Sequence, residues 1–193
     1  QDGKKKECEI YNIDGLISTE KWFPNGVLKS IKKVKPEYSE EIYHNNGNIH
    51  KQISSQDDGI KEVKGYYRDG NLNYSGKLKG SRKIGEWTVY YPNGNLKSKI
   101  KYKNGKLRGV SISYHEKRKN EKKCVEYSNG IPKKLWYQKK NKKAGPSIEY
   151  STFGALENIQ IFKNGNAVEE IKIKNDRNES WETLNSFTYI HQI

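Results

Sequence analysis

Apolar and polar side chains alternate with a period of two from Glu86 to Tyr91. Trp87, Val89 and Tyr91 fall on one face and Glu86, Thr88 and Tyr90 on the other, which is the pattern of a β-strand. Pro92-Asn93-Gly94 follows. Asn and Gly tolerate the positive φ that a two-residue hairpin loop imposes, so the chain is expected to reverse there. Leu96, Ser98, Ile100 and Tyr102 carry the inward face onward, while Lys97, Lys99, Lys101 and Lys103 set four cations on the opposite face. Asn104-Gly105 then supplies a second turn. The stretch Trp87–Gly109 therefore predicts a β-hairpin repeat.

The rest of the chain repeats this unit at a nearly fixed interval. Hairpin tips are expected at Phe23-Pro24-Asn25-Gly26, Tyr43-His44-Asn45-Asn46-Gly47, Tyr67-Arg68-Asp69-Gly70 and Tyr91-Pro92-Asn93-Gly94, whose glycines are spaced by 21, 23 and 24 residues. An aliphatic residue sits two places past each Gly, as Leu28, Ile49, Leu72 and Leu96, and can plug the same layer in each repeat. A recurrence of this length marks a repeat architecture. Intermediate turns at Asn104-Gly105, Asn129-Gly130 and Asn164-Gly165 follow Tyr102, Tyr127 and Phe162 at one offset. Between Val110–Tyr114 and Cys124–Tyr127, residues His115 to Lys123 replace the tip, and this places His115 opposite Cys124 across a hairpin centred near Lys119. Leu135-Trp136-Tyr137 and Lys139 to Lys143 fill a ten-residue excess as an enlarged loop or an extra hairpin. Ile159 and Ile161 fall on the face that carried lysines earlier and need cover. Ile171 and Ile173 add a strand. Trp181, Leu184, Phe187 and Ile190 recur at three-residue intervals after Asn178 and Ser180, as in a short C-terminal capping helix, with a strand through Phe187, Tyr189 and His191 as the alternative. The expected fold is all-β. It is an elongated antiparallel β-hairpin repeat array forming a single domain over 1–193, with an N-terminal edge segment at 1–14, hairpin repeats at 15–170 and a C-terminal cap at 171–193.

Composition limits the depth of any core. The 193 residues are 32% hydrophobic, with a mean hydropathy of −1.09, and 14 Tyr and 4 Trp supply much of the apolar surface. Burial is expected from amphipathic rings in a thin structure. Disorder does not fit the regular aromatic and Gly spacing. No apolar run reaches the length of about 18 residues that a membrane-spanning helix needs. The chain starts at Gln1 and has no Met, so loss of an initiator is expected, by removal of a signal peptide or by trimming; secretion or surface display and a cytoplasmic location both stay open. Cys8 and Cys124 lie too far apart in an elongated array to bridge and are expected as free thiols.

Charge is concentrated. Seventeen Lys and Arg and three Glu lie between Lys97 and Lys143, and the net +14 of that stretch equals the net charge of the whole chain. One reading is a solvated sheet face guarded against edge pairing by lysines. The sharper reading is an electrostatic footprint for an acidic partner, with Lys97, Lys99, Lys101, Lys103, Lys106, Arg108, Lys117 and Arg118 as binding residues. An anionic lipid or polymer surface is the alternative partner. Nucleic acid fits less well, because only Arg108 and Arg118 offer bidentate contacts, although Tyr114, Tyr127, Trp136 and Tyr137 could stack on bases. His115 and Cys124 are two ligands where a closed zinc site needs four, and His44 and His50 flank one turn without evident partners. No catalytic order of Ser, His and Asp, no phosphate loop and no HExxH motif is present. The sequence assigns no catalytic residue, metal or cofactor, and catalysis is not expected.

Residues Tyr91-Pro92-Asn93-Gly94-Asn95-Leu96-Lys97-Ser98 through Tyr102-Lys103-Asn104-Gly105-Lys106-Leu107-Arg108-Gly109 resemble the MORN-variant repeat of the YwqK-type antitoxin family. The likeness extends by repeat period over about residues 15 to 170 and is strongest in 66 to 109. It implies an antiparallel meander of stacked hairpins and a non-enzymatic protein-binding module, an antitoxin or immunity protein whose partner is a toxin. The rival reading is an exported or cell-surface protein whose basic face binds anionic polymer, lipid or host surface. More distant MORN proteins are associated with membranes, but Gly85-Glu86-Trp87 stands here in place of their fuller Gly-rich signature.

Overall fold

A computed structural model describes residues 6–34, 37–55 and 59–173. The capping helix expected from Trp181 to Ile190, and its strand alternative, lie outside the described residues. Every described element is an antiparallel β-strand or the turn that joins two of them. The chain divides into two compact units, residues 1–96 and 97–193.

The first unit is a meander of eight strands, each paired with the next: β1 (Glu7–Asn12), β2 (Gly15–Trp22), β3 (Leu28–Lys33), β4 (Ser39–Tyr43), β5 (Ile49–Ser55), β6 (Ile60–Tyr66), β7 (Leu72–Lys79) and β8 (Arg82–Tyr90). Register fixes what each face carries. Thr19, Lys32, Glu40, Ile53, Val63 and Gly76 are successive partners across six strands, and Val63 is 2% exposed. The neighbouring row, on the opposite face, runs Glu20, Ile31, Glu41, Gln52, Lys64, Ser75 and Thr88. Its polar groups bond to one another: Tyr66 donates to Gln52 Oε1 at 2.6 Å, Gln52 Nε2 donates to Glu41 Oε1 at 2.9 Å, and Tyr43 donates to Glu41 Oε2 at 2.5 Å. One face therefore buries apolar surface while the other satisfies its own hydrogen bonds.

The apolar face is built from rings laid over glycines. Trp87 covers Gly76 and Tyr74 covers Gly65, so closely that a Cβ on either glycine would lie 2.2 Å from a ring carbon. The two rings stack with centroids 6.1 Å apart, and the Trp87 indole donates to the Lys77 carbonyl at 3.2 Å. A glycine inside a strand weakens it unless something fills the space, and here an aromatic side chain from the next strand does so.

The tips follow one construction, which differs from the expected two-residue loop. The N–H of Tyr91 donates to Asn95 O at 2.8 Å and that of Gly94 to Tyr91 O at 2.9 Å. The same two bonds close 23–27, 44–48, 67–71 and, in the second unit, 151–155. Only the glycine of each tip has positive φ, so these are three-residue loops made of a type I turn and a left-handed Gly. The residue before that Gly does not take the left-handed conformation. Its side chain instead accepts from the N–H two residues on, as Asn25, Asn46, Asp69 and Asn93 all do at 3.0–3.2 Å. True two-residue turns, with both residues left-handed, occur at Asn104-Gly105, Asn129-Gly130, Lys140-Asn141 and Asn164-Gly165. After four of these tips comes a bulge, because Trp22, Tyr43, Tyr66 and Tyr150 pair with the plug residues Leu28, Ile49, Leu72 and Leu156, and one residue beyond each plug is left over.

Neighbouring tips in the first unit are tied to each other. Asn48 Nδ2 donates to Arg68 O at 2.9 Å and Asn71 Nδ2 to Pro92 O at 2.9 Å, from the same position of successive loops. Tyr67 adds a bond from its hydroxyl to Tyr90 O at 2.8 Å. The tip at 23–27 has Val27 at that position, which has no side-chain donor.

The second unit comprises β9 (Leu96–Lys103), β10 (Lys106–Leu107), β11 (Gly109–Tyr114), β12 (Glu121–Ser128), β13 (Ile131–Lys139), β14 (Lys142–Tyr150), β15 (Leu156–Lys163) and β16 (Asn166–Lys172), with β10 and β11 both pairing with β9. The ten-residue excess is an extra hairpin, β13–β14, turning at Lys140-Asn141. Leu135, Ile148, Tyr150 and Leu156 form the buried cluster, flanked by Val125, Tyr137, Ile159 and Ile173. Ile159 and Ile161 do not fall on the lysine face. Lys99 pairs with Ile112, and the row continues through Cys124, Trp136, Ser147 and Gln160, so Gln160 shares the lysine face. Ile159 pairs with Ile148 on the opposite side, where the aliphatic cluster covers it. Bulges at the ends of the strands shift the parity that a simple count would keep.

Candidate functional site

The eight cationic residues singled out in the sequence all belong to the second unit but do not form one patch. Lys101, Lys103, Lys106 and Arg108 gather at the β9–β10 hairpin, where Lys103 pairs with Lys106 and the Arg108 N–H donates to Lys101 O at 3.0 Å. All four side chains are exposed. Lys97 is exposed at the opposite end of β9. Lys117 and Arg118 lie in the loop between β11 and β12, with β11 separating them from the hairpin.

Lys99 differs from the rest of its row. It is half-buried and pairs with Ile112, which in turn pairs with Cys124, only 3% exposed, and then Trp136. The second unit thus carries apolar side chains on both faces. A lysine stem bordering such a strip shields it while its ammonium group reaches water. Farther along, the same face is charge-balanced: Glu126 pairs with Lys134 and Lys134 with Glu149, to which it is salt-bridged. The Lys134 hydrogen bond holds the Glu149 carboxyl below its ordinary value. The β9 lysines therefore end at an apolar strip and a neutralised row.

A larger concentration of cations lies where the turns between β11 and β12, β13 and β14, and β15 and β16 meet at one end of the strands. Lys140 N–H donates to Asn120 O at 2.9 Å, Lys122 Nζ to Asn141 Oδ1 at 3.1 Å, and Gly165 N–H to Lys143 O at 2.9 Å. Lys117, Arg118, Lys119, Lys122, Lys139, Lys140, Lys142, Lys143 and Lys163 occupy these turns and the adjoining strand ends, with Glu116 and Glu121 as the acids. Glu121 spends its charge inside the cluster, on Arg118 at 2.9 Å and Lys139 at 3.3 Å. The sequence signal was two lysine runs about 22 residues apart. They become neighbours because one full hairpin lies between them.

The proposed pairing of His115 with Cys124 does not occur. The hairpin is centred at Arg118, so Cys124 pairs with Ile112, and the His115 N–H bonds to Glu121 O at 3.2 Å. His115 Nδ1 accepts from the N–H groups of Lys117 and Arg118 at 3.2 and 3.1 Å, which organises the basic loop. Burial pushes the Cys124 thiol up, away from reactive thiolate. Both cysteines are free. Conversely, His44 and His50 do have a partner, namely each other: His50 Nδ1 and His44 Nε2 are 3.2 Å apart. Among the described residues no group of three or more His, Cys, Asp or Glu side chains is placed to hold a metal, and no helix is long and apolar enough to cross a membrane.

Residues 83–104 match the MORN repeat variant family, a stretch that runs from the start of β8 through the Asn104 turn. No curated protein matches the chain. The class established is that of a β-hairpin protein carrying a MORN repeat variant.

Proposed function

We propose that the chain is a non-enzymatic protein-binding module whose basic second unit receives an acidic protein. The resemblance to YwqK-type proteins supports a toxin as that partner, with this chain as its antitoxin or immunity protein. The observation that supports this reading is the basic end of the second unit, where nine cations face two glutamates, one already neutralised from within. Uncompensated charge of one sign accelerates encounter with an opposite surface and selects against like-charged partners. Lysine point charges on turns suit scattered carboxylates better than the planar bidentate contacts that arginine makes to phosphates or bases.

Two quadruple charge reversals test this reading: Lys97, Lys99, Lys101 and Lys103 to Glu, and Lys119, Lys140, Lys142 and Lys143 to Glu. Each variant and the native chain serve as baits in the source organism, and captured proteins are re-tested in purified form for association rate at low and high salt. The reading expects an acidic protein whose association slows by on the order of tenfold or more when the turn cluster is reversed. Unchanged association in both variants overturns it. Loss of binding to anionic vesicles or polymer, with protein capture intact, favours the rival surface-attachment reading.

A further inference from the structure

We infer that His44 and His50 form a two-imidazole chelate for a divalent transition-metal ion such as Zn²⁺. His44 is the first residue of the tip 44–48, and His50 is the bulge residue following the plug Ile49, so the loop closure and the bulge together bring one ring against the other. In the equivalent places of the preceding tip, the Lys29 ammonium lies 5.9 Å from the centre of the Phe23 ring. The scaffold therefore folds the bulge residue back over the first residue of the loop, and at this tip both are metal-binding side chains.

The spacing suits a chelate. The rings meet edge to face, with centroids 4.4 Å apart and planes inclined at 69°, and the two nitrogens nearest each other, His50 Nδ1 and His44 Nε2, are 3.2 Å apart. Zinc–imidazole bonds of about 2.0–2.1 Å at a tetrahedral angle place two ligand nitrogens about 3.3 Å apart. Without metal, a nitrogen pair at this separation shares one proton, and the metal takes that proton's place. The Tyr66 carbonyl oxygen lies 3.3 Å from the same His44 Nε2, so a further electron-rich atom borders that nitrogen. His50 is exposed and His44 half-buried, so solvent supplies the remaining ligands and the ion enters without a conformational change of the backbone.

The cations near this tip, Lys51 and Arg68, whose guanidinium bonds to Asn45 Oδ1 at 3.0 Å, oppose a divalent ion. Affinity is therefore expected in the micromolar range, short of a closed four-ligand site.

The test is titration of the full chain with zinc chloride at pH 7.5, followed by imidazole nitrogen–proton NMR and by calorimetry. The His44 and His50 signals are expected to shift together and saturate at one equivalent, while His115 is unmoved. His44→Gln and His50→Gln should each weaken this event at least tenfold, with the β-sheet circular dichroism retained. Independent shifts of the two rings, or an unchanged affinity in either variant, would overturn the chelate. Lys51→Gln provides a second check that leaves both ligands in place: tighter binding is expected, and weaker binding counts against a metal at this position.

Discussion

Replacing Gly76 with alanine perturbs the first unit at its most tightly packed point. The added Cβ would lie 2.2 Å from Trp87 Cδ2 and 2.4 Å from Cε2, whereas ordinary contact begins at 3.4 Å. The indole must therefore retreat by at least 1.2 Å, the difference between 3.4 and 2.2 Å. Trp87 is 5% exposed, donates to Lys77 O, stacks on Tyr74 and carries the Lys83 ammonium 4.4 Å above its ring. Overpacking of this kind costs about 1–3 kcal/mol, and losing the indole hydrogen bond adds about 1 kcal/mol. Against this, alanine is better than glycine in an extended strand by about 0.5–1 kcal/mol. The balance is a loss of about 1–3.5 kcal/mol, measured by urea unfolding of the full chain.

The sign of the effect depends wholly on the ring, which makes the argument refutable. In a Trp87→Ala background the space above Gly76 is open, and Gly76→Ala should be neutral or stabilising. A double-mutant cycle thus predicts a coupling of about 2 kcal/mol or more. If Gly76→Ala costs the same with and without Trp87, the clash is not the cause, and the account of rings laid over glycines fails.

Other expectations follow from the same contacts. Asn71→Ala removes the bond to Pro92 O and Tyr67→Phe the bond to Tyr90 O; each should cost about 0.5–1.5 kcal/mol by chemical denaturation, while Val27→Ala in the first tip has no such bond to lose. Tyr38 and Tyr43 have phenols pushed up to about 12 by burial, assisted by hydrogen bonds to Glu40 and Glu41. Their raised values mean that the stability they contribute is whole below the ordinary value of 10 and is lost as pH rises toward 12, which absorbance at 295 nm and parallel unfolding curves should register together. Glu149 has a lowered value, so its contribution is present above the ordinary 4.5 and lost as pH falls below it; Glu149→Gln should flatten the acid limb of the stability profile. Lys99→Glu should destabilise more than Lys103→Glu, which should change stability by less than about 0.5 kcal/mol, because only Lys99 borders the Ile112–Cys124 strip.

The strands and their turns were legible because two signals coincide in this sequence. Alternation gave Trp87, Val89 and the return strand, and an Asn-Gly or Asp-Gly pair marked most of the turns, though not those at Arg118 and Lys140-Asn141. Turn type was harder to read, since the same dipeptide serves two loops. At 104–105 both residues are left-handed, while at 93–94 only the glycine is and Asn93 caps its own loop through its side chain. Faces were legible only up to the first bulge. Ile159 and Ile161 were placed on the wrong side because each bulge shifts the count by one residue. His115 and Cys124 failed for a related reason, as a shift in the centre of one hairpin moves every pair across it. Gly65 and Gly76 carried a signal that was available: a glycine in mid-strand implies close approach, and an aromatic residue lies 9 or 11 positions later, at Tyr74 and Trp87.

The basic surface illustrates how the repeat turns sequence distance into proximity. A hairpin returns the chain to the same end of the sheet after two strands, so residues near 118, 141 and 164 share an end although some 23 positions separate each from the next. Charge placed in turns accumulates along that end. Charge placed within a strand, as on β9, is limited by the row it faces, and Ile112, Cys124 and the Glu126–Lys134–Glu149 alternation supply neither more cations nor open space. The two quadruple reversals should therefore differ. Reversal of the turn cluster changes the field with little effect on packing, whereas reversal of the β9 row includes Lys99 and weakens the fold as well as the field. A loss of binding in the turn variant at native stability is the result that separates electrostatic recognition from damage to the sheet.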